Sequence, residues 1–396
     1  MNALLKKSAD YRNIIANKIM GGKLLSKWGL PEKRLNNQEY QSLKDTLLKL
    51  FRKNLYQYHG YPQAPYDSCR VQDEIGVAPA IRQKETHGDL DILIGVDENY
   101  SNPPRTYHDL RWVDPTSLSD KELTTYEYFK QLSGGYDPHV NSNVISFPYM
   151  GFQVDVTFFP KKDFKSALNY NSWGDLSNLK GRVFHKKGLH LSHIGLSFWI
   201  RQGMFDNNIT WSDNDHIYEK VVLTRDMKTI CELGGFDYAK WKAGFDTNED
   251  VYKFVAESRF FKKELFAFEN LNSINRIRNA KRTMYKGFVD WLDATNPDEY
   301  HKAEFLDKST YALIYQEKFP HLRDAISKYY FEYNVSKCLK SKLNGRIVMD
   351  VLGIEDGRTV GQIMSAIKKE FTTMELLGKT ESEIREIIKD TYRILN

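Results

Sequence analysis

Two aspartates, separated by one residue, lie in a segment whose other residues are typical of a buried strand. The run Lys84–Val96, KETHGDLDILIGV, contains Asp89 and Asp91. Because the side chains of a strand alternate between its faces, both carboxylates project to the same side. Like charges held this close repel each other, and a divalent cation that prefers oxygen ligands relieves the repulsion. A polar edge strand with two solvated aspartates is an equal alternative for this run alone.

A third aspartate stands alone in a later strand-like run. Residues 152–159 read FQVDVTFF, which puts Asp155 on the face opposite the regularly spaced apolar side chains. A single carboxylate in so apolar a strand is costly to bury without a partner, and a metal shared with Asp89 and Asp91 would supply one. Carboxylates from two such strands predict a site for two Mg²⁺ ions, with Mn²⁺ as an alternative, as used for in-line displacement at phosphorus.

The composition is ordinary for a globular protein with room for two or three domains. The chain has 396 residues, of which 28% are charged and 41% hydrophobic. Its net charge of +5 is compatible with a polyanionic partner but is weak evidence by itself. No Ser-His-Asp or Cys-His arrangement, phosphate-binding loop or dinucleotide glycine fingerprint is evident, so covalent nucleophilic catalysis has no supporting motif.

The spacing of the cysteines and the length of the apolar segments indicate in which cellular compartment the protein functions. Cys69, Cys231 and Cys338 are far apart, with no Cys or His neighbour at metal-ligand spacing, which argues against structural zinc and a disulfide framework. Residues 1–20 carry charges too early for a secretory signal, and no run of about 18 apolar residues occurs. We therefore expect no membrane association and a cytosolic protein, or a nuclear one in a eukaryote.

The first part of the chain reads as a sheet with flanking helices. Hydrophobic spacing predicts helices at 3–20 and 37–56. Residues 144–149 and 152–159 predict a hairpin that turns at Met150-Gly151 and delivers Asp155 next to the first aspartate strand.

A long polar insertion and a helical remainder complete the pattern. Within the insertion, at 97–142, a capping box at Ser119 and Glu122 predicts a helix at 119–133. After residue 160, the sequence no longer shows the patterns typical of strands. Helices are predicted there at 187–203, 221–233, 247–256, 261–268, 270–293, 304–317, 321–341, 359–371 and 380–394.

These elements predict an α+β fold. A small head, made of a mixed sheet with flanking helices, is followed by a mainly α-helical body and tail. We place the head at 1–160, including the N-terminal helices and the 97–142 insertion, the helical body at 161–342 and the helical tail at 343–396.

The order of the acidic motifs resembles the polymerase-beta-like nucleotidyltransferase superfamily. Its members carry a hydrophobic-Gly-Gly/Ser turn, then an Asp-hydrophobic-Asp strand, then a third carboxylate on a later strand. Here Ile75-Gly76 precedes the two aspartates, and the run Arg82–Leu93, RQKETHGDLDIL, is similar to a string typical of X-family DNA polymerases. The resemblance implies a nucleotidyltransferase fold for the head and a catalytic, metal-binding role for Asp89, Asp91 and Asp155.

The resemblance breaks down where the family holds the nucleotide phosphates. The family uses the backbone and hydroxyl of a Gly-Ser pair, whereas this chain has Gly76-Val77 in one register and Ala78-Pro79 in the other. Neither pair has a hydroxyl, and Pro79 also lacks a backbone N–H. The candidate nucleotide-binding residues that remain around the motif are Gly76, Arg82, Lys84 and Gly88.

A second resemblance lies near the C-terminal end. The segment Leu343–Phe371 is similar to the tail of CCA-adding tRNA nucleotidyltransferases, with glycines at 345, 353, 357 and 361 in the matching places. Gly353 and Gly357 indicate a turn between two predicted helices. The arginine-rich motifs that follow the head in that family are absent in recognisable form. The segment is a family marker and contributes no chemistry of its own.

The densest cluster of basic residues lies in Asn272–Lys286, NSINRIRNAKRTMYK. On one continuous helix, several of its cations would share a face. Cations this close repel one another, which favours a triphosphate or a nucleic-acid backbone nearby. A solvated face paired with acidic neighbours is an equal alternative. The candidate binding residues are Arg276, Arg278, Lys281 and Arg282.

Together these features predict a metal-dependent nucleotidyltransferase that adds nucleotides from NTP to an RNA 3′ end, in the manner of the CCA-adding enzymes. A gap-filling DNA polymerase of the X family stays open as an alternative, as does transfer of a nucleotide to a protein or a small molecule. A catalytically inactive RNA-binding protein is a further alternative, motivated by the missing Gly-Ser. The nucleotide, the primer and the oligomeric state do not follow from the sequence.

Overall fold

The chain folds into two compact units. The computed structural model describes residues 23–57, 74–96, 110–113, 122–206, 212, 214–295 and 304–395. These fall into a first unit, within Met1–Ser197 and Thr224–Phe305, and a second, within Phe198–Leu223 and Leu306–Asn396. The helix predicted at 3–20 lies outside the described residues. The predicted domain boundaries at 160 and 342 rest on motifs and stay predictions.

The long strands of the first unit carry the acidic motifs. In chain order the strands are β1 (Leu35–Asn36), β2 (Leu55–Gln57), β3 (Ile75–Gly76), β4 (Thr86–His87), β5 (Asp89–Val96), β6 (Leu110–Val113), β7 (Glu122–Thr124), β8 (His139–Asn141), β9 (Val144–Tyr149), β10 (Phe152–Pro160), β11 (Leu189–Ser192), β12 (Gly195–Arg201) and β13 (Ile217–Thr224).

A mixed five-stranded sheet is the centre of the first unit. Its order is β3-β5-β10-β9-β8. Strands β5 and β10 are parallel, and the other neighbours are antiparallel. The predicted hairpin is confirmed, since β9 and β10 pair with Tyr149 beside Phe152 across Met150-Gly151. Two smaller sheets, β1-β4 and β2-β6-β7, complete the strand pairing of the head.

Helices flank this sheet and dominate the C-terminal part, so the predicted α+β fold class is confirmed. Short 3₁₀ helices lie at Lys23–Trp28, Lys263–Leu265 and Phe268–Asn270. The α-helices are α1 (Asn37–Asn54), α2 (Thr125–Leu132), α3 (Lys161–Asn171), α4 (Leu176–Lys186), α5 (Gly203–Asp206), α6 (Met227–Gly234), α7 (Tyr238–Ala243), α8 (Asn248–Ala256), α9 (Ser273–Asn279), α10 (Thr283–Ala294), α11 (Lys308–Lys318), α12 (Pro320–Lys342), α13 (Gly345–Leu352), α14 (Gly357–Glu370), α15 (Thr373–Gly378) and α16 (Glu381–Leu395).

Side-chain alternation along β5 and β10 separates an apolar face from the acidic one. Leu90, Ile92 and Ile94 of β5 lie in one core with Val154 and Val156 of β10. Aromatic residues from α1, β6 and α2 close this core, among them Phe51, Trp112, Tyr128 and Phe129. The aspartates therefore belong to the opposite face. Further along that face, Leu93 and Phe159 form a smaller apolar cluster with Phe164 and Ala167 of α3.

The helix predicted at 187–203 is wrong over most of its length, because the chain forms β11 and β12 there. The helix predicted at 221–233 is wrong only in its first part, where β13 extends to Thr224, and α6 at Met227–Gly234 is helical as predicted. In β12, every residue of GLSFWIR except Trp199 is buried, so both faces of the strand are covered, although only the face of Leu196, Phe198 and Ile200 is uniformly apolar. A short, largely apolar run fits helical and strand spacing equally well. Residues 161–342 are thus mainly helical, as predicted, but also contain these three strands.

Other helix boundaries also differ from the prediction. The helix predicted at 119–133 begins at Thr125, because Glu122–Thr124 pairs with β6 and Thr124 forms the capping box with Glu127. Ser119 of the predicted box lies outside the described residues. The helix predicted at 261–268 is replaced by short 3₁₀ turns. The helices predicted at 37–56 and 247–256 are confirmed within two residues at each end.

The second unit has a helical core of its own. Apolar residues of α12 to α16 meet in it, including Leu339, Val348, Ile363, Leu376 and Ile388. The turn predicted after α13 is confirmed, since Gly353 has a left-handed φ of 64° and caps that helix. None of the helices within the described residues is long and apolar enough to cross a membrane.

Candidate metal centre

The parallel pairing of β5 and β10 brings the three aspartates together. Asp91 pairs with Asp155, and Asp89 pairs with Gln153. Each aspartate offers one carboxylate oxygen, and these oxygens all lie within 4.8 Å of one another. Oxygen ligands at this spacing suit a hard divalent cation. The three carboxylates predicted from the sequence therefore form one cluster, and it is the only such group of acidic, His or Cys side chains within the described ranges.

Asp155 is the deepest member of the cluster. Its two carboxylate oxygens each accept a hydrogen bond of 3.0 Å from Nε2 of Gln153, and the side chain of Ser146 also hydrogen-bonds to it. Burial, followed by the negative charge of Asp91, raises the pKa of Asp155 to about 7, although both hydrogen bonds act in the opposite direction. Clustered carboxylates without a cation behave in this way. A divalent cation at the cluster would relieve this repulsion.

A buried aromatic pair borders the carboxylates. The rings of Tyr40 and His87 are stacked with centroids 3.7 Å apart. Burial, and then the charges of Asp91 and Asp89, raise the pKa of Tyr40. Burial lowers the pKa of His87 to about 4, so its ring is neutral. Sequence reasoning missed Tyr40, because one tyrosine on the buried face of a helix carries no functional signal.

The two glycines predicted to bind nucleotide have different surroundings. Gly76 pairs with Leu93 on β5, and a side-chain Cβ there would touch Leu168 of α3 at 3.4 Å. This position packs the sheet against α3. Gly88 is buried between His87 and Asp89 at the start of β5.

The loop before β5 is bound to a distant segment of the first unit. The backbone N–H groups of Arg82 and Gln83 donate to the carbonyls of Phe245, at 3.1 Å, and Asp246, at 2.9 Å. The Arg82 guanidinium pairs with the Asp246 carboxylate and donates to the carbonyl of Ala243 at 2.9 Å. Arg82 and the N–H of Gln83, which could replace the missing Gly-Ser, therefore already have protein partners here. Lys84 is exposed.

The basic segment is not a single helix. Helix α9 ends at Asn279, and α10 begins at Thr283, so Arg278, Lys281, Arg282 and Lys286 do not share one helical face as predicted. The break is stabilised from α4, because Asn178 Nδ2 donates to Asn279 Oδ1 at 2.9 Å. The single-helix interpretation failed because these partners lie about a hundred residues away in sequence.

The four predicted cations of this segment divide into two pairs. Arg276 donates to the carbonyls of Phe268, at 3.1 Å, and Leu271, at 3.0 Å, and thereby stabilises the preceding turn. Arg282 forms an ion pair with Asp175 in which both side chains are largely buried. Arg278 and Lys281 are exposed, as Arg276 also is. Arg278 and Lys281 thus differ from the first pair in that Arg276 and Arg282 are held by the carbonyls and the carboxylate described above.

The basic segment lies beside the loop that leads to β5. The N–H of Trp173 donates to the carbonyl of Pro79 at 2.7 Å. A Cβ on the adjacent Gly174 would lie 2.9 Å from Met284 of α10 and 3.9 Å from Ile81. The connection between α3 and α4 therefore joins the start of α10 to the loop before β5.

Comparison with protein-family models finds no match for this chain, and comparison with curated proteins finds none either. The likeness to the polymerase-beta-like superfamily is therefore one of motif order and residue type.

Proposed function

We propose that the chain is a metal-dependent nucleotidyltransferase that adds nucleotides from NTP to an RNA 3′ end. The observation that supports this best is the convergence of Asp89, Asp91 and Asp155 from adjacent parallel strands. The same carboxylates occur in the same order in the polymerase-beta-like superfamily. An all-oxygen ligand set suits Mg²⁺, and Mn²⁺ accepts the same ligands.

In this proposal each carboxylate has its own position relative to the reactants. Asp89 and Asp91 would hold both cations, and Asp155 would share the one beside the primer 3′-hydroxyl. Bound Mg²⁺ would lower the pKa of that hydroxyl and neutralise the charge that develops as pyrophosphate leaves. The remaining contribution of the chain is to position the reactants, so no side-chain nucleophile is needed.

Arg278 and Lys281 are the best candidates for contact with the RNA backbone. Replacing both with Ala should weaken binding of a single-stranded RNA primer about tenfold at moderate salt, because two phosphate contacts are lost. The slope of log affinity against log salt concentration should also become shallower by about 1.4. Fluorescence anisotropy over a salt series measures both quantities.

Arg282→Ala is the matched control for that double variant. It removes a cation from the same segment but breaks the ion pair with Asp175, so it should lower the free energy of unfolding by about 2 kcal/mol. The Arg278/Lys281 variant should leave the free energy of unfolding unchanged. Equal RNA affinity in wild type and the double variant would contradict a role for this surface.

The proposed function is tested by offering each labelled NTP and dNTP, with Mg²⁺, to several RNA and DNA primers. We expect template-independent extension of an RNA 3′ end, with a tRNA that lacks its terminal nucleotides as the first substrate to try. Extension of a gapped DNA by dNTP only in the presence of a template would favour the X-family alternative. Labelling of a protein or a small molecule would favour the alternative in which the nucleotide is transferred to such an acceptor.

A catalytically inactive RNA-binding protein is supported by one specific observation. The guanidinium of Arg82 and the N–H groups of Arg82 and Gln83 are held by residues 243–246, and residues 76–79 supply no hydroxyl. Metal-dependent incorporation of any labelled nucleotide would exclude this alternative. RNA binding without incorporation would support it.

A further inference from the structure

A segment that precedes the first long helix contacts the aspartate-bearing strand β10 and strand β4, which directly precedes β5. We call Lys23–Asn36 the N-terminal strap. Near its start, the N–H of Leu24 donates to Oε1 of Gln153 on β10 at 3.0 Å. At its end, Leu35 and Asn36 pair with β4, and Arg34 donates to Oγ1 of Thr86 at 3.0 Å. Thr86 lies three residues before Asp89.

Gln153 links the strap to the deepest carboxylate. Its side chain is buried, with 1% of the residue exposed. A backbone N–H can only donate, so Oε1 must face Leu24 and Nε2 must face Asp155. Nε2 lies 3.0 Å from both carboxylate oxygens of Asp155. The amide therefore has one orientation that satisfies both neighbours, and in that orientation it restrains rotation of the Asp155 carboxylate.

The strap is anchored independently of this hydrogen bond. Leu25 is fully buried and Leu24 nearly so. The indole Nε1 of Trp28 donates to the carbonyl of Asp137 at 2.8 Å, and Nζ of Lys33 donates to the carbonyl of Met150 at 3.0 Å. Because these contacts place the strap along the β9–β10 hairpin, Leu24 presents its N–H from a defined position.

We propose that Gln153 is a positioning residue for the metal centre and that the N-terminal strap sets its orientation. The chain Leu24 to Gln153 to Asp155 would hold the third carboxylate so that its free lone pairs face Asp91. Outer hydrogen-bonding partners of this kind typically contribute 10–100-fold to metal affinity. This inference shares the metal centre with the proposed function but does not depend on nucleotide transfer.

Titration with Mn²⁺, followed by the EPR signal of the free ion, tests the role of Gln153 without any nucleotide. Gln153→Leu should bind Mn²⁺ about 10–100-fold more weakly than wild type. Asn143→Leu is the matched control, because Asn143 lies in the same hairpin but donates to the carbonyl of Phe158 at 2.8 Å. It should keep the wild-type Mn²⁺ affinity. Wild-type affinity in Gln153→Leu, or no Mn²⁺ binding by the wild-type chain, would overturn the inference.

A second pair of variants tests whether the N-terminal strap contributes to Mn²⁺ affinity. This pair also replaces the first test if Gln153→Leu fails to fold. Leu24→Pro removes the donated N–H, whereas Leu24→Ala shortens the side chain and keeps the N–H. We expect Mn²⁺ affinity to fall in Leu24→Pro and to stay near wild type in Leu24→Ala. Equal affinity in the two would overturn the role of the strap. A wild-type chain that binds Mn²⁺ but transfers no nucleotide would refute the proposed function and leave this inference standing.

Discussion

Replacing Asp91 with Asn should lower the rate of nucleotide transfer by about 10³-fold or more. Asp91 lies beside Asp155 in the register of the parallel strands and would contribute a ligand to both cations. A metal ion contributes several kcal/mol to the stabilisation of the transition state, and each ~1.4 kcal/mol corresponds to a factor of ten. The rate of incorporation of a labelled NTP into an RNA primer, at saturating Mg²⁺, measures the loss.

The same substitution should leave the fold intact. Asp91 is exposed, and its neighbours on that face are carboxylates, so removing its charge relieves repulsion. The metal-free variant should therefore unfold at the wild-type temperature or above it. Asp45→Asn is a suitable control, because Asp45 is an exposed carboxylate on α1 with 75% of its side chain accessible. Full activity in Asp91→Asn would contradict the assignment of the metal centre.

The aspartate cluster could be predicted from the sequence in part, because the position of each carboxylate on its own strand is local information. Alternation along each strand places Asp89 with Asp91, and a lone Asp155 among apolar neighbours requires a partner. The aspartates are also close together because β5 and β10 are parallel neighbours, and no local pattern specifies that pairing. Motif order supplied this step, through the resemblance to a known superfamily.

The environment of Arg82 could not be predicted in this way. Its partner Asp246 is 164 residues away, and both side chains are half exposed in an otherwise ordinary polar context. Strand β12 was missed for a related reason, since a short, largely apolar run that is buried on both faces has no pattern that distinguishes a strand from a helix. In both cases the tertiary contact that decides the structure leaves no periodic pattern in the sequence.

The stability of the metal-free protein should fall as the pH rises from about 4 to about 7. In the folded chain the pKa of Asp155 is about 7, against an ordinary value of 3.8. Between these values the unfolded chain has released the proton and the folded chain has kept it, so rising pH favours unfolding. Denaturant unfolding in EDTA over this range measures the decline. Asp155→Asn should remove this contribution to the decline, and an unchanged pH dependence in that variant would contradict the assignment.

The affinity for Mn²⁺ should depend on pH in the opposite sense. A cation at the cluster must displace the proton from Asp155, so below pH 7 the apparent affinity should rise about tenfold per pH unit. Above that pH, this proton no longer competes and the affinity should level off. EPR titration with Mn²⁺ between pH 5.5 and 8.5 locates the change of slope. A Mn²⁺ affinity that is constant over this range would show that the cation binds without Asp155, and the two-strand metal site would then be wrong.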